Sequence, residues 1–344
     1  MTSKKYDTLV FILRGQPFHN AHLGIVRRAT TLTDNLIVIA GSAYQPRTYK
    51  NPFTFHEREW MIRDAASNYL NVNVFPNVDT IYNNQAWAVR IQKIVADAMY
   101  SQKGPGEYRI AIIGHKKDAS SYYLDMFPQW DFVDVEQVEP LGATDIRDLY
   151  FRRDANMNFI KNVVPETTFD FLTRFRTNEG YEQVIREREF IENYRKQFAG
   201  LPYPPVFVTG DAVVFQSGHV LMIKRRSRPG RGLWALPGGF LNAATDRSVV
   251  DCAIRELREE TGLKVPEPVL RGNIQDVRVF DAVDRSARGR TITHAVNIVL
   301  PDGELPRVRG QDDAEKARWV AISDVHSEEC FEDHAEIINT FLGS

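Results

Sequence analysis

The sequence predicts two consecutive α/β domains, the first of which is built on a doubly wound parallel sheet. Three observations support this prediction: strand-like and helix-like patterns alternate through the first half, a proline-rich break LPYPP occupies residues 201–205, and β-rich runs resume after it. With 344 residues and a hydrophobic content of 43%, the chain is long enough for two packed cores.

The first half alternates strands and helices in a regular order. Strands are predicted over residues 8–13, 35–42, 72–75, 109–114 and 132–135, with helices over 23–32, 57–69 and 87–100. Strands that alternate with helices form parallel sheets. About five such units fit a Rossmann-like domain, whose ligands bind at the carboxyl edge of the sheet.

The second half carries its own set of elements. Residues 182–198 are charged and helical in pattern, and the prolines of LPYPP end any helix. We therefore predict a first domain at 1–185, a charged helix and linker at 186–205, and a second domain at 206–344. In the second domain, strands are predicted over 206–215, 219–226, 276–280 and 291–300, with helices over 249–261 and 335–342.

The composition excludes several classes of protein. The 43 Lys and Arg residues are interspersed with 45 Asp and Glu residues, giving a net charge of −2, which argues against a nucleic-acid partner. Two cysteines are too few for a disulfide framework or a zinc site. The sequence shows neither a cleavage signal nor an apolar run of about 18 residues. We therefore predict a cytoplasmic protein with no membrane partner. Homo-oligomerisation is left open.

The segment from Leu236 to Leu263 places three carboxylates on one predicted helix behind a Gly-Gly turn. Its apolar residues recur at intervals of three and four and form one stripe: Val249, Val250, Ala253, Ile254 and Leu257. Glu256, Glu259 and Glu260 share the face that this stripe leaves open, where their repulsion is costly unless a cation lies between them. Hard oxygen ligands at this density suit Mg²⁺ or Mn²⁺ carried on a phosphate substrate, and a solvated acidic face is the alternative.

The same segment resembles the Nudix box. Arg255 to Leu263 match its ending of Arg-Glu, an aliphatic residue, any residue, Glu-Glu, any residue, Gly and an aliphatic residue. The resemblance implies an α/β Nudix fold in which Arg255 orients the acidic cluster, with a metal site formed by the carbonyl of Gly238 and by Glu256, Glu259 and Glu260.

One part of the box departs from the family pattern. Arg247 stands where the family has its first Glu, and the interval from Gly to Arg differs by two residues. Asp246 is the candidate to substitute for that Glu.

A pair of histidines follows the first predicted strand. His19 and His22 lie three residues apart where a helix begins, so both rings face the carboxyl edge of the sheet. Imidazoles and the free N–H groups of a helix start suit the phosphates of a nucleoside triphosphate. Surface or core histidines are the alternative, since the spacing alone is a weak signal.

A second segment, Gly142 to Arg147, begins another helix at the same edge. With the histidines it resembles the nucleotidylyltransferase superfamily, whose signatures are H-x-G-H and S-T-x-x-R; here Ala21 and Ala143 replace the Gly and the Ser. The resemblance implies that the histidines and Arg147 bind the ATP phosphates beside Thr144, with no covalent intermediate.

The resemblance narrows with the segment RTYKNPFTF, residues 47–55, and with Trp87. These look like the nicotinamide pocket of archaeal-type nicotinamide mononucleotide adenylyltransferases. The match implies a substrate site formed by Arg14, Gln16, Arg47, Lys50, Asn51, Trp87, Gly114 and Asp118. For Trp87, helix packing is the alternative, because Ile91 and Val95 continue the same stripe.

Joined in this order, the two domains are similar to bacterial bifunctional nicotinamide mononucleotide adenylyltransferases and ADP-ribose pyrophosphatases over nearly the whole chain. Asp281, Arg285 and the segments 288–294 and 312–314 look like substrate loops, and a charged hairpin with a solvated turn is the alternative. From these loops we take Arg288, Arg290 and Asp313 as substrate-binding residues. The resemblance implies synthesis of NAD⁺ from ATP and nicotinamide mononucleotide, and hydrolysis of ADP-ribose that depends on Mg²⁺ or Mn²⁺.

Two alternatives stay open for the function. The first domain could use pantetheine phosphate, FMN or another acceptor. The second could be a catalytically silent sensor of ADP-ribose or NAD⁺, an option that Arg247 keeps open.

Overall fold

The computed structural model describes residues 4–69, 71–116, 119–136 and 141–343. The chain divides into two compact units, Met1–Ile185 and Arg186–Ser344. Within the described ranges, no helix is both long enough and apolar enough to cross a membrane.

The first unit is a five-stranded parallel sheet with helices on both faces. Its strands are β1 (Thr8–Leu13), β2 (Asn35–Ala40), β3 (Asn71–Pro76), β4 (Ile110–Gly114) and β5 (Asp131–Asp134). Its helices are α1 (Asn20–Ala29), α2 (Phe55–Ala66), α3 (Asn84–Lys103), α4 (Ala143–Tyr150), α5 (Met157–Val163) and α6 (Glu166–Phe175), and α7 (Glu179–Lys196) contains the boundary between the units. The strand order is β3-β2-β1-β4-β5 with every neighbouring pair parallel, so the predicted doubly wound sheet is confirmed.

The central strand β1 is buried on both sides. Leu9, Phe11 and Leu13 belong to one core, whereas Val10 and Ile12 belong to the other. Helices α1 and α2 contribute to the first core and α3 to the second. Burial on both faces explains why this strand reads as an unbroken apolar run.

The second unit is built on a mixed sheet of seven strands. They are β6 (Val206–Gln216), β7 (His219–Arg225), β8 (Trp234–Ala235), β9 (Gly238–Phe240), β10 (Ile274–Phe280), β11 (Arg290–Val299) and β12 (Ala314–Ala321). The main order is β10-β11-β6-β7-β12, with β8 beside β7 and β9 beside β6. The helices are α8 (Val249–Thr261), α9 (Glu267–Gly272) and α10 (His334–Leu342). This α/β arrangement is the predicted one, although the sequence pattern missed β12, whose solvent-facing residues are mostly charged.

The stretch 186–205, predicted as a helix and linker, packs within the second unit. Arg195 Nε donates to the carbonyl of Ala287 over 2.9 Å. The rings of Tyr194 and Phe198 lie 5.9 and 5.2 Å from that of Phe207 on β6. These aromatic contacts hold the segment around the end of α7 against β6, the first strand of the second unit.

Candidate functional sites

The two predicted histidines meet at the carboxyl edge of the parallel sheet. His19 is the N-cap of α1, its ring centroid lies 3.7 Å from that of His22, and its backbone N–H donates to Nδ1 of His22 over 3.4 Å. Since Nδ1 of His22 accepts, the neutral ring carries its proton on Nε2. The pair is therefore held by the start of the helix and keeps an N–H donor for a ligand.

Burial keeps both histidines neutral. It lowers the pKa of His19 to about 4, an effect that the nearby Asp145 carboxylate opposes. Burial also lowers the pKa of His22 well below its ordinary range, and the charge of His19 adds to this effect. An anion brought next to these rings would favour their protonated forms, so they suit phosphate binding.

Arg147 lies against the loop that precedes the histidines. Its Nη1 donates to the carbonyl of Gln16 over 2.8 Å, and its Nη2 donates to Thr144 Oγ1 over 3.1 Å. Its buried Nε has no hydrogen-bond partner in the described part of the chain. Burial lowers the pKa of Arg147 to about 10, and the charge of Arg14 contributes. Arg147 thus connects Thr144 with the loop that precedes the histidines.

Gln16 has a different role from the one predicted for it. Its side-chain Nε2 donates to the carbonyl of Phe53 over 2.9 Å, and its Oε1 accepts from the Phe53 N–H over 2.9 Å. Both polar atoms of the buried amide are used by the protein itself. Gln16 therefore ties the histidine loop to the segment 47–55 instead of offering its amide to a substrate.

Within the segment 47–55, the predicted substrate-binding residues divide into two groups. Arg47 forms a bidentate pair with Glu57 at 3.0 and 2.9 Å and lies 4.9 Å from the ring of Phe175. These contacts make Arg47 part of the framework. Lys50 and Asn51 are half-buried in the preceding loop, and Asn51 Oδ1 has no hydrogen-bond partner among the described residues. That buried acceptor fits a donor group of a ligand.

The structure describes two further predicted residues of this unit, Trp87 and Gly114. Trp87 belongs to α3, and its ring lies 6.0 Å from that of Tyr123 and 6.1 Å from that of Phe127. These contacts directly support the helix-packing alternative. Gly114 ends β4 at the carboxyl edge. Asp118 lies outside the described residues.

The sequence reading missed Arg58, which is fully buried. Its guanidinium donates to the carbonyl oxygens of Arg14, Gly41 and Ser42, which directly follow β1 and β2. Burial lowers its pKa to about 10. The signal was present, because Arg58 lies three and four residues before the buried Met61 and Ile62 on one helix stripe.

In the second unit, α8 is capped by Ser248 before its first residue and by Gly262 after its last, and the φ of 59° at Gly262 is left-handed. Of the three predicted ligands, Glu259 is exposed, Glu256 is half-buried and Glu260 is buried. Glu260 accepts a hydrogen bond from the N–H of Gly238 over 2.9 Å. The prediction that all three share an open face was therefore wrong for Glu260, which lies beneath the glycine turn.

Arg255 compensates the charge of the acidic residues around it. Its Nη1 donates to Glu256 over 2.7 Å and to Glu259 over 3.0 Å. Its Nε and Nη2 form a bidentate pair with Asp246 at 2.9 and 2.8 Å. The hydrogen bonds from Arg255 lower the pKa of Asp246 to about 2.

Arg247 takes no part in this network. Its side chain is 84% exposed and pairs with Asp251, whereas the Asp246 side chain is 3% exposed. Asp246, the residue considered as a substitute for the family's first Glu, contacts Arg255, and Arg247 does not.

Two glycines allow the backbone to approach the carboxylates. A Cβ on Gly239 would lie 2.4 Å from Glu256 Oε1, and one on Gly238 would lie 2.1 Å from Asp211 Oδ1. Both distances are far shorter than any van der Waals contact. The close approach of Gly238 and Gly239 therefore requires residues without side chains.

The chemistry of this donor set suits a divalent cation. Burial raises the pKa of Glu260 to about 8 and also raises that of Glu256, so a cation bound beside them would stabilise their charged forms. Across the described ranges, no three His, Cys, Asp or Glu side chains are arranged as a finished metal cluster. Glu256 and Glu259 flank Arg255, so binding an ion between them requires a shift of these side chains.

The predicted substrate loops fall into framework and accessible parts. Arg285 forms a buried bidentate pair with Asp333 at 2.8 and 2.7 Å, which removes it from the substrate loop. Arg288 lies 4.9 Å from the ring of Phe240, next to the glycine turn. Arg290 Nη2 lies 3.8 Å from the Asp281 carboxylate, and the exposed Asp313 accepts from Ser227 over 3.5 Å.

Arg225 was not predicted. It ends β7 with its guanidinium 4.0 Å from the ring of Phe331. Burial lowers its pKa, the charge of Arg288 adds to this effect, and Glu260 and Asp313 oppose it. A second positively charged side chain thus lies near Arg288 and the carboxylates, which suits the binding of a diphosphate group.

Two family models match different halves of the chain. Residues 15–149 match the Cytidylyltransferase-like family and residues 207–341 match the NUDIX domain family. A nicotinamide/nicotinic acid mononucleotide adenylyltransferase of Acinetobacter baylyi is 37% identical over 183 residues, which are 52% of this chain and 92% of that protein. An ADP-ribose pyrophosphatase of Methanocaldococcus jannaschii is 29% identical over 161 residues, which are 47% of this chain and 83% of that protein.

A solved structure matches across both halves. It is a bifunctional NMN adenylyltransferase/ADP ribose pyrophosphatase from Francisella tularensis, complexed with AMP and a Mn ion. It is 32% identical, the match covers 98% of this chain and 99% of that chain, and the TM-score is 0.88. The chain therefore belongs to the family of bifunctional NMN adenylyltransferases/ADP-ribose pyrophosphatases.

Proposed function

We propose that the first unit makes NAD⁺ from ATP and nicotinamide mononucleotide and that the second hydrolyses ADP-ribose to AMP and ribose 5-phosphate. The corresponding domains would be residues 1–185 and 206–344, with 186–205 between them. The observation that carries the first activity is the convergence of His19, His22 and Arg147 at the carboxyl edge of the sheet. The observation that carries the second is the Arg255 network beside Glu256, Glu259 and Glu260.

Adenylyl transfer here depends on positioning and charge neutralisation. The phosphate of nicotinamide mononucleotide would attack the α-phosphorus of ATP in line, and pyrophosphate would leave. His22 Nε2–H and the buried Arg147 are the donors that would hold the ATP phosphates. Because backbone contacts already fix both groups, little reorganisation is needed when charge develops.

Hydrolysis depends on the carboxylates of α8. Mg²⁺ or Mn²⁺ bound there would activate a water molecule and neutralise the diphosphate. Glu256, Glu259 and Glu260 would hold the ion with the Gly238 carbonyl. Arg255, fixed by Asp246, would keep Glu256 and Glu259 in place. Arg225 and Arg288 would bind the substrate on the side of Phe331.

The silent-sensor alternative depended on Arg247. Since Asp246 makes the contact with Arg255 and Arg247 points to solvent, that departure gives no reason to expect an inactive site.

Product analysis tests both activities. Incubation with ATP plus nicotinamide mononucleotide should yield NAD⁺ and pyrophosphate, and incubation with ADP-ribose should yield AMP and ribose 5-phosphate. Pantetheine phosphate and FMN serve as rival acceptors in the first assay, and a chelator serves as the metal-free arm of the second. NAD⁺ synthesis without ADP-ribose turnover in either Mg²⁺ or Mn²⁺ would revive the sensor.

A further inference from the structure

The outer strand of the second sheet has one unpaired edge. β10 is the end strand of the order β10-β11-β6-β7-β12, and β11 is its partner on one side. No other strand in the described part of the chain pairs with its outer side. Val277 and Val279 on this strand are 37% and 53% exposed. An edge of this kind is a template for another strand.

The hydrogen-bonding groups of the outer edge can be assigned to particular residues. The N–H of Val277 donates to Asp276 Oδ1 over 2.8 Å, so it faces away from the ladder with β11. In an antiparallel pair the N–H and C=O of one residue point to the same side, and this side alternates along the strand. Val277 and Val279 therefore present their backbone groups outward, and the register shift with β11 between Ile274 and Asp276 interrupts the alternation before them.

We propose that this edge binds the same edge of a second copy of the chain, antiparallel about a two-fold axis at Val277. In this register Val277 faces Val277 of the second copy, and its N–H leaves Asp276 Oδ1 so that the two residues can exchange two backbone hydrogen bonds. Asp276 then faces Arg278 of the second copy, and Arg278 faces Asp276 of the second copy. These two pairs occupy non-hydrogen-bonded positions, where facing side chains come closest.

Charge selects this register over its neighbours. Sliding the second copy by two residues in one direction places Asp276 opposite Asp276, and sliding it in the other direction places Arg278 opposite Arg278. Sliding by one residue removes the match between outward N–H and C=O groups. Within one chain Asp276 and Arg278 already lie together, at 2.6 Å, so both charges stand on the face that the proposed pairing would use.

The interface is isologous and small, so we expect a dimer that depends on protein concentration. Sedimentation of the full chain over a wide concentration range measures its dissociation constant. Asp276→Arg places like charges opposite each other at both pairs, and so does Arg278→Asp. Each single variant should raise the dissociation constant by at least about tenfold.

Mixing the two single variants separates pairing between copies from effects inside one copy. In the mixed dimer every Arg again faces an Asp, although neither chain has regained its internal ion pair. The mixture should therefore associate about as tightly as the wild type. Val277→Pro, which removes the outward N–H, should leave melting temperature and ADP-ribose hydrolysis in place and abolish association.

A wild-type chain that stays monomeric across the whole range overturns the proposal. So does a mixture that associates no better than either variant alone, or self-association that Val277→Pro leaves unchanged.

Discussion

The two candidate sites hold their charged groups in opposite ways. At the edge of the parallel sheet, neutral histidines and Arg147 are fixed by backbone partners, so the donors are in place without help from other charges. On α8, Glu256 and Glu259 are held by Arg255, which Asp246 holds in turn, whereas Glu260 accepts from the N–H of Gly238. Donors for an anion can be held in place by backbone contacts alone, whereas two of the three carboxylates proposed for the cation, Glu256 and Glu259, are held by a counter-charge. The five predictions below test this contrast, beginning with the largest expected effect.

Glu260→Gln should abolish ADP-ribose hydrolysis without destabilising the fold. Burial raises the pKa of Glu260 to about 8, so in a chelator at neutral pH the folded protein carries the protonated acid, which Gln imitates. We expect an unchanged melting temperature in chelator, no detectable AMP release in Mg²⁺ or Mn²⁺, and normal NAD⁺ synthesis. Retained hydrolysis would remove Glu260 from the metal site.

His22→Ala should lower kcat/KM for NAD⁺ synthesis by at least about 100-fold, because one lost donor to a developing charge costs about 2.7–4 kcal/mol. Steady-state assays would measure it, with ADP-ribose hydrolysis as the internal control and the exposed His56→Ala as the matched variant. Equal loss of both activities would indicate misfolding, and unchanged synthesis would exclude His22 from the site.

The neutral histidines should also make the first unit sensitive to acid. The folded pKa of His19 is about 4, against 6.5 ordinarily, so the unfolded chain binds its proton first as the pH falls. The contribution of this shift to the free energy of unfolding is fully present above pH 6.5. It is lost as the pH falls from about 6.5 to 4, and the loss amounts to up to about 3 kcal/mol.

Chemical denaturation at stepped pH would measure this loss. The double variant His19→Gln, His22→Asn should show a flatter profile, and His56→Gln should follow the wild type. A double variant as acid-sensitive as the wild type would contradict the assignment.

Asp246→Asn should lower hydrolysis by about 10–100-fold, as loss of a residue that positions metal ligands does. The neutral amide cannot hold Arg255 by a bidentate ion pair, so Glu256 and Glu259 lose their common partner. Arg247→Glu, on the neighbouring exposed residue, is the matched control and should change the rate little. The reverse pattern, with Arg247→Glu creating activity, would restore the sensor interpretation.

The contrast also explains what the sequence could predict. The histidines and Arg147 were brought together by a topological rule, because parallel strands place their following loops at one edge. Glu260 was misplaced because the carboxylates were considered as a set. Ala253, Leu257 and Glu260 are spaced by four and three residues, so Glu260 belongs to the buried stripe.

Contacts between residues far apart in the sequence could not be predicted from the sequence. Arg285 and Asp333 are 48 positions apart, and no local pattern indicates that they form a buried pair. The contact of Asp246 with Arg255 spans nine positions across the start of α8, and it depends on a loop conformation that the family pattern did not fix.

The smallest predicted effect concerns Trp87. It tests whether the preorganised part of the first site includes the pocket for nicotinamide mononucleotide, the acceptor of the adenylyl group. Trp87 is half-buried, with its ring packed against Tyr123 and Phe127, so its position is fixed before any ligand binds. If nicotinamide stacks on the open face of the ring, Trp87→Ala should raise the KM for nicotinamide mononucleotide far more than that for ATP. The expected loss of binding free energy is about 1–3 kcal/mol. Trp87→Phe, which keeps a stacking surface and most of the packing, should recover most of that loss. A lower melting temperature with both KM values unchanged would mean that Trp87 serves the core alone, and the preorganised part of the site would then end at the phosphates.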